Sequence, residues 1–225
     1  MSLPGGSTGN FSIRRRLVMR LLLTSFQSDT QGHANTVLSV LRSRSGRKER
    51  SATLGAEKYR AVELLRDGRR VEIRALRPDD RAHMLEAVAH LSAQSLYRRF
   101  FGVKRDFSEK EKAFYLNVDF VSHVALVVTI EEGGRTNIVG GARYIVVQTG
   151  TAEVAFAVVD EFQGQGIGTT LIRHLTLLAR KAGLKEFIAE VLPENAAMLK
   201  VFEKSGLNVS TRRDAGVVSV RLQIS

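Results

Sequence analysis

Three apolar runs crowd the middle of the chain: HVALVVTI at 123–130, NIVGGARYIVV at 137–147 and AEVAFAVV at 152–159. Only Glu131-Glu132-Gly133-Gly134 plus two residues, and Gln148-Thr149-Gly150 plus one, separate them. Connections that short cannot cross a sheet, so the three runs must be antiparallel neighbours. A helical pattern over 166–183 follows. Ile167, Leu171, Ile172, Leu175, Leu178, Ala179 and Ala182 form its apolar face, and Gly183 ends it. EFIAEVL at 186–192 reads as a further strand stopped by Pro193. A meander followed by a strand–helix–strand step predicts an α/β (α+β) domain on one mixed, mostly antiparallel sheet, with helices on both faces.

The flanking segments extend this frame. AVELL at 61–65 and RVEI at 70–73 bracket Asp67-Gly68, the mark of a hairpin. Arg77-Pro78-Asp79-Asp80 stops that strand and starts a helix, with the acids suited to its positive end. Met84, Leu85, Val88 and Leu91 recur at helical spacing, and Leu96, Phe100 and Phe101 mark a second short helix. Ser108-Glu109-Lys110-Glu111 is a capping-box start for a third, with Phe114 and Leu116 turned inward. The spacing predicts a last helix over 195–205, ended by Gly206, and NVSTR with VVSVRLQI as a closing hairpin.

Charge divides the chain. Of 225 residues, 34 are Lys or Arg and 23 are Asp or Glu, a net charge of +11. Residues 1–70 hold 14 of the bases against 5 acids, whereas residues 71–225 hold 20 against 18. Most of the excess sits in a leader over 1–55, and in the domain over 56–225 the core, from about residue 71, is nearly neutral. That placement argues against a nucleic-acid-binding face. In the leader, residues 17–23 are too few to span a bilayer and include Arg20. A flexible tail is the expected reading; an interfacial helix or an Arg-rich transit peptide are its alternatives. Cysteine is absent, which excludes disulfides and cysteine nucleophiles and is compatible with a cytoplasmic setting. Five scattered histidines predict no metal site.

The chemistry points to residues 163–168. QGQGIG joins a strand to a helix, a turn that aims backbone N–H groups and the positive helix end at one point. Its natural ligand is a phosphate or diphosphate. A Walker loop would need a lysine where Gly168-Thr169-Thr170 stands, and a dinucleotide fingerprint counted from Gly164 would need glycine at Thr169. Taken alone, a turn without a ligand is equally compatible.

Gln163-Gly164-Gln165-Gly166-Ile167-Gly168, then Asn195 with a helix running to Ser205-Gly206-Leu207, resembles the GNAT superfamily of N-acetyltransferases. DGRRVEIRALRPDD (67–80), SLYRRFF (95–101), AEVAFAVVDEFQGQGIG (152–168) and EVLPENAAMLKVFEKSGL (190–207) are similar to its bacterial protein lysine acetyltransferases. The resemblance covers about two thirds of the chain. It implies a GNAT-like fold, acetyl-CoA as co-substrate without a metal, and an exposed lysine of a protein, such as an acyl-CoA synthetase, as acceptor. It implies acetyl-CoA contacts at Phe156, Ala157, Val158, Gln163, Gly164, Gln165, Gly166, Ile167, Gly168, Thr169 and Asn195. Members of that family often carry a fused acyl-CoA-synthetase-like or cyclic-nucleotide-binding domain, and neither is visible in this sequence.

An amine must lose a proton before it attacks a thioester, and a positioned carboxylate can take it. Strand alternation puts Glu153, Ala155 and Ala157 on one face and Val154, Phe156 and Val158 on the other. Glu153 is therefore the candidate base, and the resemblance implies the same role. Glu190 competes from the next strand; His123 and His174 read as packed or solvated side chains. Many GNAT enzymes carry a tyrosine acid seven residues after the asparagine, but Phe202 stands there and cannot donate a proton. A thiol pKa of about 8.5 makes thiolate a fair leaving group without that help. Two rival readings stay open: a small-amine acetyltransferase, and a non-catalytic acetyl-CoA-binding regulator.

Overall fold

The structure, a computed structural model, describes residues 55–104, 106–214 and 216–224. The basic leader lies outside these residues but for residue 55. Eight strands form one sheet: β1 (Arg60–Leu64), β2 (Arg70–Ala75), β3 (His123–Glu132), β4 (Arg135–Gln148), β5 (Thr151–Val158), β6 (Glu186–Val191), β7 (Asn208–Asp214) and β8 (Val217–Gln223). Their order is β1-β2-β3-β4-β5-β6-β8-β7. Every neighbouring pair is antiparallel except β5 and β6, as short turns and one helical crossover require.

The crossover is α4 (Ile167–Lys181), whose Ile167, Leu171, Ile172, Leu175, Leu178 and Ala179 are buried as the periodicity predicts. Ala182 is exposed instead, because it lies past the last helical turn. This face packs on Val124, Leu126, Val128, Ala142, Tyr144 and Val154. Ala56 and Leu65 join the same core, so packing begins before Val71.

The opposite face carries α1 (Arg81–Ala89), α2 (Ala93–Phe100) and α3 (Glu109–Leu116) over Ala125, Val127 and Ile138. Ser108 starts α3 with the expected capping box, accepting from the Glu111 N–H while Glu111 accepts from the Ser108 N–H. Tyr115, not Phe114 or Leu116, is its buried residue. No residue of α1 is buried; Met84 and Val88 are half-covered because they face a cavity rather than solid core. Asp80 keeps its expected place at the start of a helix and does more there. Its carboxylate is buried and bidentate with Arg74, at 2.6 and 2.7 Å, and it also accepts from the Arg77 N–H at 2.7 Å. The last helix, α5 (Ala196–Glu203), buries Phe202 edge-on against Phe156. Phe202 is thus a core aromatic. Among the described residues no helix is long and apolar enough to cross a membrane.

Candidate active site

The one parallel pair is short. β5 and β6 meet only at Thr151↔Glu186, Ala152↔Phe187 and Glu153↔Ile188. Beyond Glu153, β5 stays paired to β4 as far as Val158, and β6 stays paired to β8 as far as Val191. The sheet therefore splits between them, and Phe156, Ala157 and Val158 present one backbone edge to the gap. An unpaired strand edge is a ready partner for an extended ligand with amide groups.

The glycine turn closes the end of the gap. Gly164 and Gly166 sit at φ +77° and +94°, which only glycine adopts cheaply. A β-carbon on Gly164 would meet nothing, so open space lies beside the loop. Gly166 is the N-cap of α4 and supplies no side-chain acceptor, so the first N–H groups of the helix, at Ile167, Gly168 and Thr169, point outward without a cap. Gly168 has a packing role as well. A β-carbon there would stand 2.9 Å from Val201 Cγ2, so this glycine lets α4 pack against α5. Gly140 works similarly: its β-carbon would stand 3.2 Å from Ile167 Cγ2, so its absence lets α4 begin close to the sheet. A glycine pair inside a strand was the available sign of such a close approach.

The loop is braced from α2. Gln163 Nε2 donates to the Ser95 hydroxyl at 3.1 Å and to the Val158 carbonyl at 3.0 Å. Asp160 accepts from the Ser92 N–H, the Ser92 hydroxyl and the Ser95 hydroxyl. Burial alone would raise the Asp160 carboxyl; these donors outweigh it and hold the group below its usual range. Asn195 caps α5, its Oδ1 accepting from the Met198 N–H at 3.2 Å. Gln165 contributes its carbonyl to the neighbouring Arg66 N–H.

Glu153 lies on the sheet face under α1–α3, with Ala155 and Ala157 beyond it lining a cavity of about 130 Å³. An apolar cavity of similar size accepts a benzene ring, so a lysine's aliphatic stem fits. Burial raises the Glu153 pKa; Arg99 lowers it, and Glu190 raises it again. Glu190 is two residues past Ile188, which pairs with Glu153, so the two acids share one face. Arg143 and Tyr115 also line the cavity. The Arg143 Nη1 donates to the Tyr115 carbonyl at 3.3 Å and to His123 Nε2 at 3.1 Å. Burial, with Arg99 adding to it, pushes the Arg143 pKa down to about 10. The Tyr115 hydroxyl is buried and has no hydrogen-bond partner among the described residues. Neither Arg99, Arg143 nor Tyr115 stood out in the sequence, because only the fold brings Arg99 within reach of Glu153 and all three to the cavity.

Both histidines are structural. His174 is buried between Tyr59 and Glu63 and contacts both side chains. His123 stacks on Phe114, and burial first, then Arg143, pushes its pKa down to about 4. The ordinary value is about 6.5, so the unfolded chain takes up this proton first as pH falls. Stability held above pH 6.5 is therefore lost between 6.5 and about 4, by roughly 3 kcal/mol. Urea unfolding at pH 7 and pH 4.5 checks this, and His123→Gln should remove that part of the slope. An equal slope in the variant would refute it.

The split sheet, the glycine turn and helices on both faces define an α/β acyltransferase domain. More particularly, the chain belongs to the GNAT acetyltransferase family, whose model matches residues 90–207. It is 33% identical over 162 residues to the acetyltransferase Pat of Mycolicibacterium smegmatis, covering 71% of this chain and 47% of that protein. It thus spans about half of that relative's length. The GNAT domain of S. lividans PAT matches with a TM-score of 0.66 and 32% identity, over 73% of this chain and 96% of that one. An acetyltransferase of Salmonella typhimurium, yncA, solved with its cofactor acetyl-CoA, shares the fold at a TM-score of 0.57 and 21% identity, over 69% of this chain and 94% of that one.

Gly166→Val tests the loop. Valine at φ +94° is strained, and the turn should lose its N–H geometry while the core stays intact. Acetyl-CoA affinity should fall at least tenfold in a calorimetric titration of the folded variant. Unchanged affinity would contradict a diphosphate at this loop.

Proposed function

We propose that the chain transfers an acetyl group from acetyl-CoA to the side-chain amine of a protein lysine, with Glu153 as general base. The observation that carries this reading is the position of Glu153: a desolvated carboxylate at the point where β5 and β6 part, next along the strand to Ala155 and Ala157, which line the apolar cavity. The Pat relatives support a protein lysine, and the sequence's resemblance to the bacterial protein lysine acetyltransferases puts acyl-CoA synthetases among the candidates.

The residues present suit acetyl-CoA. The uncapped N–H groups of α4 and the turn at Gly164 and Gly166 suit its diphosphate, and the edge of Phe156, Ala157 and Val158 that β6 leaves unpaired suits its amide-bearing arm. Acetyl-CoA supplies the activated acyl group. Glu153 takes the proton from the incoming ammonium, directly or through a water, and the strand N–H groups at the gap stabilise charge on the acyl oxygen. Burial raises the Glu153 pKa, which makes it a stronger base, and Arg99 offsets part of that rise. A cytoplasmic setting belongs to the reading.

A second reading is a small amine acceptor. Arg143 makes no salt bridge among the described residues, its guanidinium bonds going to the Tyr115 carbonyl and to His123, which suits an acceptor bearing a carboxylate near its amine. Incubation with acetyl-CoA and either a panel of acyl-CoA synthetases or free amino acids separates the two. Acetyl-lysine located by mass spectrometry on a synthetase supports the first; acetylation of the amino acids alone supports the second.

A further inference from the structure

The hairpin before the matched family region reaches the glycine turn. Arg66 lies in the connection between β1 and β2, where Gly68 adopts φ +86°. Its Nη1 donates to the Gly164 carbonyl at 3.0 Å, and its backbone N–H points to the Gln165 carbonyl at 3.4 Å. Its Nε lies 3.7 Å from where a β-carbon on Gly166 would stand. One residue thus bonds two successive positions of the turn and lies over the third.

The charge on Arg66 is not neutralised. Its neighbour Asp67 is committed to Arg69, through the Arg69 N–H at 3.0 Å and Nε at 2.8 Å, and Arg69 also reaches Glu132. Among the described residues Arg66 has no carboxylate partner. An arginine that holds two carbonyls of a turn, one through its guanidinium and one through its backbone N–H, leaves the N–H groups of the same turn for another partner. It also adds a full positive charge beside the partial charge of the α4 N-terminus.

We propose that Arg66 is a positioning residue for the phosphate-binding turn, and that it makes the enzyme selective for thioesters that carry a diphosphate. This rests on the acetyl-CoA reading given above. The guanidinium holds the Gly164 carbonyl, fixes the direction of the loop N–H groups, and offsets part of the charge of the bound diphosphate. A thioester without phosphates gains nothing from either effect.

The test compares acetyl-CoA with S-acetylpantetheine, which has the same thioester and no diphosphate, in the full chain. The wild type should prefer acetyl-CoA in kcat/KM. Arg66→Ala should raise the KM for acetyl-CoA about tenfold, the usual worth of one charge-assisted contact, and shrink the preference by the same factor. Arg66→Lys should recover part of it, because the charge returns without the fork. Thermal midpoints of both variants should stay within a few degrees of the wild type. Equal losses with both thioesters, or an unaltered preference, would overturn the proposal and leave a structural role. A wild type that does not turn over acetyl-CoA at all would instead overturn the acetyltransferase reading.

Discussion

Glu153→Gln should lower turnover by roughly two to four decades at neutral pH, the usual contribution of a general base. Glutamine keeps the size of the side chain but cannot accept the ammonium proton. Acetyl-CoA affinity should hold, because the carboxylate lies on the acceptor face and not at the glycine turn. The loss should shrink as pH rises toward the lysine pKa of about 10.4, where free amine appears unaided. The acid limb of the wild-type profile should lie above the usual carboxylate value, because burial raises Glu153 more than Arg99 lowers it. Steady-state rates from pH 6 to 10 check both points. Glu190→Gln is the control and should cost much less; equal losses would mean that the two acids share the proton.

The largest stability effect should come from Asp80→Asn. This leaves the buried Arg74 guanidinium without its two carboxylate bonds, and breaking such a pair costs about 3–5 kcal/mol. That is a large share of the stability of an ordinary domain. The site should suffer as well, since Asp80 anchors the start of α1, whose Met84 and Val88 line the cavity. Replacing both partners by apolar residues of similar volume should restore most of the loss. For Asp80, burial would raise the pKa, but the Arg74 and Arg77 bonds outweigh it and hold the carboxyl below its usual value. The pair's contribution is therefore present above about pH 4 and lost below it, clear of the His123 transition. Urea midpoints at pH 7, pH 4 and pH 2.5 distinguish the two, the first step crossing the His123 window and the second the Asp80 one; an Asp80→Asn midpoint near wild type would contradict the buried-pair account.

The sheet was legible because its signals are local. Gly133-Gly134 and Gly150 sit in tight turns, the apolar stripe of α4 repeats at the helical period, and Ser108 opens α3 with its own acceptor. The turn at 163–168 was legible for the same reason, as was the alternation that puts Glu153 opposite Val154. Contacts that join distant segments were not. Arg66 meets Gly164 across 98 positions, and Gln163 meets Ser95 across 68. Arg99 and Arg143 look like ordinary surface bases until α2 is laid on β4 and β5. Met84 and Val88 show the converse: helical spacing marks an apolar face but does not distinguish a core from a cavity wall.

The central claim is that this domain catalyses acetyl transfer and does not merely bind acetyl-CoA. The most direct measurement follows thiol release from acetyl-CoA in the presence of a lysine peptide, together with the peptide's acetylation by mass spectrometry. The account predicts thiol release matched one for one by acetyl-lysine, fast in the wild type and slowed by orders of magnitude in Glu153→Gln. Tight acetyl-CoA binding with no release above the uncatalysed rate, for peptide, synthetase and amino acid alike, would contradict it and leave a non-catalytic regulator.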